Sequence, residues 1–178
     1  MRTILLLASL ICTCKICYSQ NIYRTLSGHV LISGEFNDSA FIAESHELEF
    51  HYDSKTRNIY GKIKIGSINS GILYLDSILL KNIESIVSIE SYVPVDFLTW
   101  EHKEYNLNVP IELKFNNTTI KILSQIKFTH TDKLTTFTCV MEAALSLDLV
   151  DLKVDVPDNL NSKINVQFLQ LILRRENQ

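Results

Sequence analysis

Hydrophobic and polar residues alternate along most of this chain. From Glu47 to Tyr52, Leu48, Phe50 and Tyr52 fall on one side while Glu47, Glu49 and His51 fall on the other. From Ile59 to Ile65, Ile59, Ile63 and Ile65 oppose Tyr60, Lys62 and Lys64, and the polar stretch Asp53 to Asn58 between the two runs predicts a hairpin loop. Val109, Ile111, Leu113 and Phe115 alternate with Pro110, Glu112 and Lys114. Asn116-Asn117 then predicts a turn, after which Ile120, Ile122, Ile126 and Phe128 share one face. Thr131-Asp132-Lys133 marks another turn before Phe137, Cys139 and Met141, and the final run places Ile164, Val166, Phe168 and Ile172 together. Period two in segments rich in Ile, Val, Thr and aromatics is the pattern of half-buried antiparallel strands. Such a meander must close into a barrel or stack as a sandwich to deal with its edges.

Two segments break the rhythm. Gly71–Lys81 spaces Ile72, Leu75 and Leu79 as on a helix, with Asn69-Ser70 available as a cap, and so predicts a short helix over one end of the sheet. Leu145–Leu152 reads equally as a turn of helix or as an irregular stretch.

Several of these segments carry a family likeness. Ser45-His46-Glu47-Leu48-Glu49-Phe50 stands where the YceI-like family has its early Ser-x-apolar-x-Phe strand. Gly61 to Gly71 (GKIKIGSINSG) resembles that family's Gly-x-apolar-x-apolar-x-Ser-apolar-x-Thr/Ser-Gly strand. Leu75-Asp76-Ser77-Ile78-Leu79 resembles its Arg-Asp-x-x-Leu helix, with Leu75 in place of Arg, and Leu145–Leu149 lies where the family has Asn-Arg-x-Asp-Phe-Gly. The family's central Gly-x-Leu-Thr-apolar-x-Gly segment is replaced by Tyr105–Leu113. The resemblance implies an all-β fold: an exported, antiparallel, lipocalin-like β-barrel of about eight strands, with one or two short helices covering it. It also implies a long apolar ligand, a lipid or an isoprenoid.

The N-terminus adds an address. Arg2, the apolar run Ile4–Ile11 and the small residues Cys17 and Ser19 flanking Tyr18 follow the order of a secretory signal, so residues 1–19 are expected to be cleaved and residues 20–178 to form one domain. The apolar run is too short for the roughly 20 residues that cross a bilayer. A lipidated cysteine would need small residues before it, where Cys12, Cys14 and Cys17 have Ile11, Thr13 and Ile16. The expected location is therefore exported, periplasmic or secreted. Cleavage would remove Arg2, Lys15 and three of the four cysteines, leaving 15 basic against 20 acidic side chains, a formal charge of −5. One remaining thiol, Cys139, forms no internal disulfide, so stability must come from the apolar core. Mild acidity without a basic block argues against nucleic acid.

The search for chemistry returns little. His29, His46, His51, His102 and His130 show no zinc-type spacing along the chain, so neither a metal nor a cofactor is expected. Cys139 alternates with Phe137 and Met141 as a small buried hydrophobe, and no nucleophile elbow occurs. Trp100-Glu101-His102 reads as a stacking surface or a plug for the barrel end. Asn37, Asn116 and Asn117 begin glycosylation sequons. Alternation extended back from Leu48 and Phe50 puts His46 on their face, as a polar contact to a ligand or as a histidine at the barrel mouth.

The leading functional expectation is a non-enzymatic protein that encloses a hydrophobic small molecule. Leu48, Phe50, Ile63, Ile65, Ile122, Phe137, Met141 and Phe168 are the candidate lining residues. Cavity lining and solid core look the same at this level, because small barrels are often filled by their own side chains. The alternative is an exported structural or adhesion domain acting through its surface. Leu169, Leu171 and Leu173 alternate with Phe168 and Ile172, so an exposed outer row there would mark a protein contact or a homodimer, whereas a row lying under the Gly71–Lys81 helix would be core.

Overall fold

The computed structural model describes residues 22–94, 104–130 and 137–175, where eight strands run up and down in chain order and close on themselves. They are β1 (Ile22–Phe36), β2 (Ser39–Asp53), β3 (Asn58–Lys64), β4 (Ile86–Tyr92), β5 (Glu104–Phe115), β6 (Thr118–His130), β7 (Phe137–Asp148) and β8 (Lys163–Arg175). Each strand pairs antiparallel with the next, and β8 returns to β1 along Tyr23↔Arg175 to Ser33↔Asn165. Closure leaves no strand edge to protect, which settles barrel against sandwich. Residues 1–19, the expected signal, and Trp100-Glu101-His102 lie outside the described residues.

Short turns set the registers. Asn37 and Asp38 both take left-handed φ, 50° and 58°, as a two-residue hairpin between Phe36 and Ser39 demands. The predicted polar loop after β2 spans 54–57, and Asp53 organises it by accepting the amide protons of Lys55 (2.9 Å) and Thr56 (3.3 Å). Partial burial pushes the Asp53 carboxyl up, but these hydrogen bonds outweigh it and hold the group below its ordinary value. Cross-strand ion pairs such as Lys114–Glu90 (2.7 Å) and Lys121–Glu112 (2.8 Å) dress the outer face, where water screens them.

The expected helix is present as α1 (Leu73–Lys81). Its cap differs from expectation. Ile72 occupies the cap position without a side-chain bond, and Asp76 reaches back instead to accept from the Ser70 amide and hydroxyl, each at 2.8 Å. A 3-10 turn (Ile65–Ser67) precedes it. The ambiguous stretch divides: Leu145–Asp148 completes β7, and 149–153 forms a hydrogen-bonded turn that Lys153 ends in left-handed geometry (φ 56°).

Alternation changes phase at bulges. On β2, His46 and Glu47 together face His29, between the pairs Val30↔Ser45 and Gly28↔Leu48. On β1, Leu26 and Ser27 face Glu49. On β8, Leu169 and Gln170 face Glu142, with Gln170 at φ 47°. The extra residue on one strand flips every side chain beyond it. Two expectations are corrected by this. His46 does not share the inward face of Leu48 and Phe50; it is exposed on the outside of the barrel. The last strand does not carry a leucine row opposite Phe168: Leu171 and Leu173 are fully buried on the same side as Phe168, because the bulge lies between them.

Candidate functional site

Inward side chains divide the barrel into two ends. Loops 54–57 and the chain segments 22–25 and 171–175 lie at one end, where Leu48, Phe50, Tyr52, Ile126, Phe128, Cys139, Met141, Leu171 and Leu173 pack on one another. Burial pushes the Cys139 thiol up to about 12, so it stays protonated there.

The other end is hollow. A half-enclosed cavity of about 230 Å³ lies between the barrel wall, α1 and the turn segment 149–160. Val30, Ala43, Ile63, Val87, Ile89, Leu113, Leu145, Leu147 and Val166 line its wall, and Phe168 closes it near the bulge. Leu75, Ile78, Leu79 and Asn82 of α1 form its roof at the i, i+3, i+4, i+7 spacing of one helix face. Of the 28 described residues around it, only Ser70, Asn82 and Asp155 are polar, and all three sit on loops or at the end of α1 rather than in the wall. Such a space suits an apolar guest and gives it no hydrogen-bonding group in its depth.

The roof is tied down by residues of the family-like segment. Buried Ser45 on β2 and Ser67 on the 3-10 turn share a 2.7 Å hydrogen bond. Glu44 and Asn69 exchange main-chain hydrogen bonds of 2.9 Å in each direction. Asn69 Oδ1 accepts from the Gly71 amide at 2.8 Å, and Gly71 takes a left-handed φ of 69° to start the helix. Gly66 gives the far end of the roof its seat, since a Cβ there would meet Ile83 Cγ1 at 2.4 Å and Ile83 Cα at 2.8 Å.

The residues named from sequence fall into distinct places. Ile63, Ile65 and Phe168 line the cavity. Leu48, Phe50 and Met141 are buried in the packed end instead, and Ile122 is half-buried against the core outside the cavity lining. Phe137 opens β7, and its side chain lies outside the described residues. His46 stacks on His29 on the outer face, with ring centroids 4.2 Å apart, so it touches no guest in the barrel. Sequence reasoning missed the α1 face and the 149–160 segment. The helical spacing of Leu75 and Leu79 was the available signal for the first; the second had none.

These features define a class: an antiparallel lipocalin-type barrel, hollow and apolar at one end, under a helical roof. No family model matches the chain, and no curated protein matches it. Solved structures do. A polyisoprenoid-binding domain from Saccharophagus degradans, implicated in plant cell wall breakdown, superposes with a TM-score of 0.65 at 11% identity, covering 88% of this chain and 99% of that one. BcnA from Burkholderia cenocepacia superposes at 0.59 with 10% identity, covering 83% and 94%. At these identities the likeness is one of fold: this chain shares its closed barrel with both structures.

Proposed function

We propose that this chain is an exported, non-enzymatic carrier that encloses a slim hydrophobic molecule, a lipid or an isoprenoid, in the hollow end of its barrel. The observation that carries the reading is the cavity itself: about 230 Å³ with a wall of apolar side chains and polar groups only toward its roof and loops. An apolar space of roughly 150 Å³ already stays dry and admits benzene, while drug-sized ligands occupy about 300–1,000 Å³. The guest, or the part of it that enters, is therefore small. The name of the first structural neighbour, a polyisoprenoid-binding domain, supports a guest of that chemistry. Reversible entry is supported by the way the roof is attached: α1 stands outside the barrel ladder, and its segment is tied to β2 through Ser45–Ser67 and Glu44–Asn69, while the Ser70–Asp76 bonds lie within the segment itself.

A second reading, an exported interaction domain acting through its surface, draws on the outer side of α1. Leu73 is 90% exposed there, with Tyr74, Leu80 and Ile83 beside it.

Solvent extraction of the natively purified protein, followed by mass spectrometry, separates the two. A stoichiometric apolar molecule supports the carrier. In parallel, Ala43→Phe fills the cavity from a wall position that is 3% exposed. It is expected to cut uptake of an apolar fluorophore at least about tenfold while leaving the melting temperature unchanged or higher. An empty extract together with no fluorophore uptake by the unsubstituted protein would transfer support to the surface reading.

A further inference from the structure

Outside the cavity, the β1–β2 hairpin brings His29 of β1 beside Glu44 and His46 of β2. His29, Glu44 and His46 each offer one ligand atom, and the three atoms lie within 4.8 Å of one another. His29 Nε2 is 3.2 Å from Glu44 Oε2, and the two imidazoles stack at 4.2 Å with 26° between their planes. We propose that this cluster is a divalent transition-metal site that takes Zn²⁺, with His29, Glu44 and His46 as protein ligands and water completing the shell.

The donor set fits the ion. Two imidazoles and one carboxylate are borderline nitrogen and oxygen ligands, and three protein ligands plus water is the pattern of an open zinc site. Metal–ligand bonds of about 2.0–2.2 Å in a tetrahedron hold neighbouring ligand atoms roughly 3.3–3.6 Å apart. The His29–Glu44 separation of 3.2 Å is already close to that spacing. His46 completes the set by side-chain rotation, which its exposure permits.

The backbone supplies preorganisation. Glu44 is fixed at its root by both main-chain hydrogen bonds to Asn69. Ser45 is fixed by Ser67, and its hydroxyl also accepts the Glu47 amide at 3.2 Å. The bulge carries the argument furthest. Without the extra residue at 46–47, the phase set by Leu48 and Phe50 would turn His46 into the core. With it, His46 stands outside beside His29 and Glu44. Re-aiming a side chain toward a site is a recurrent use of bulges in barrels.

The test uses the full chain with its accessible thiols alkylated, so that Cys12, Cys14 and Cys17 cannot compete for the metal. Calorimetric titration with Zn²⁺ at about pH 7.5 is expected to show one saturable site. His46→Ala should lower that affinity at least about tenfold. Glu44→Gln, which keeps the shape and a hydrogen bond, should do the same if the alanine variant folds poorly. His51→Ala should leave binding intact, because His51 stacks on Tyr60 away from the cluster. Co²⁺ bound in place of Zn²⁺ should give a visible absorption band that His46→Ala abolishes. Absence of a saturable site in the unsubstituted chain overturns the proposal, and so does an unchanged affinity in both His46→Ala and Glu44→Gln. In either case the three residues are a hydrogen bond and a ring stack that hold the hairpin.

Discussion

The two ends of this barrel are made from the same eight strands, yet among the described residues one is solid and the other hollow. Aromatic side chains occur at both ends, so their presence does not separate them: Tyr23, Phe50, Tyr52, Tyr105 and Phe128 serve the solid end, and Phe41, Phe115 and Phe168 the hollow one. Their placement does. Tyr52 and Phe128 are fully buried, alongside Met141, Leu171 and Leu173, so large side chains meet across the barrel. At the hollow end Phe41 and Phe115 are half-buried and Phe168 lies next to the bulge, leaving Val30, Ala43, Val87 and Leu147 to the wall between. The roof there is a helix and a turn segment that span the opening rather than fill it. Whether a small barrel is filled or hollow is therefore decided layer by layer, not by strand count.

The largest expected effect sets one end directly against the other. Phe128→Ala, at a fully buried site with neighbours on every side, should cost about 3–5 kcal/mol. Leu147→Ala removes a side chain whose inner surface already faces empty space, so it forfeits fewer contacts and should cost no more than about 2 kcal/mol. Urea unfolding of both variants measures the difference. Equal costs would mean that the hollow end is collapsed or permanently filled in solution.

Protonation gives a second contrast, confined to the solid end. Burial raises the Cys139 thiol from 9.0 to about 12. A group raised on folding contributes stability that is complete below its unfolded value and declines as pH rises through the folded one. The loss should therefore begin near pH 9 and approach roughly 4 kcal/mol by about pH 12, at about 1.4 kcal/mol for each pH unit. Comparing the unsubstituted protein with Cys139→Ala isolates this slope from other ionisations. Peptide mapping after thiol modification at about pH 8 provides a simpler check, since Cys139 should be labelled only in denaturant. Labelling in the native state would show that the solid end opens as readily as the hollow one.

Strands, the hairpin at 53–58 and the helix at 71–81 are legible because period two and helical spacing survive within each element, whereas alternation leaves barrel and sandwich open and only the family resemblance implies a barrel. Lining residues were less legible. Alternation tells inward from outward but not which layer of the barrel a residue occupies, so Ile63, Ile65 and Phe168 could not be told from Leu48, Phe50 and Met141. Phase was lost at the bulges. Counting back from Leu48 across the extra residue misplaces His46, and counting forward across another misplaces the leucines of β8. A sign of the first was present. The family pattern has one residue between its serine and the apolar position, whereas this chain has His46 and Glu47 between Ser45 and Leu48. The metal-type cluster was hidden for the same reason, together with a second one: His29 comes from the partner strand, and spacing along one strand cannot reveal a cross-strand set.

The smallest expected effect tests whether the bulges form a seam between the ends. Gly28 lies on β1 between the two phase changes, opposite Leu48. A Cβ there would meet Leu171 Cδ2 at 2.8 Å and the Leu48 Cβ and Cδ2 at 3.0 Å, so the three strands approach too closely for a side chain. Leu171 can yield a little by rotating its tip; the Leu48 Cβ is fixed to the backbone and cannot. Gly28→Ala should therefore cost about 1–3 kcal/mol by overpacking. Neither Leu48 nor Leu171 borders the cavity, so affinity for an apolar fluorophore should stay within about twofold of the unsubstituted protein once temperature is set well below the lowered midpoint. A parallel loss of stability and binding would show that strain at the seam spreads into the hollow end, making the barrel one cooperative packing unit rather than a solid base supporting an independent cup.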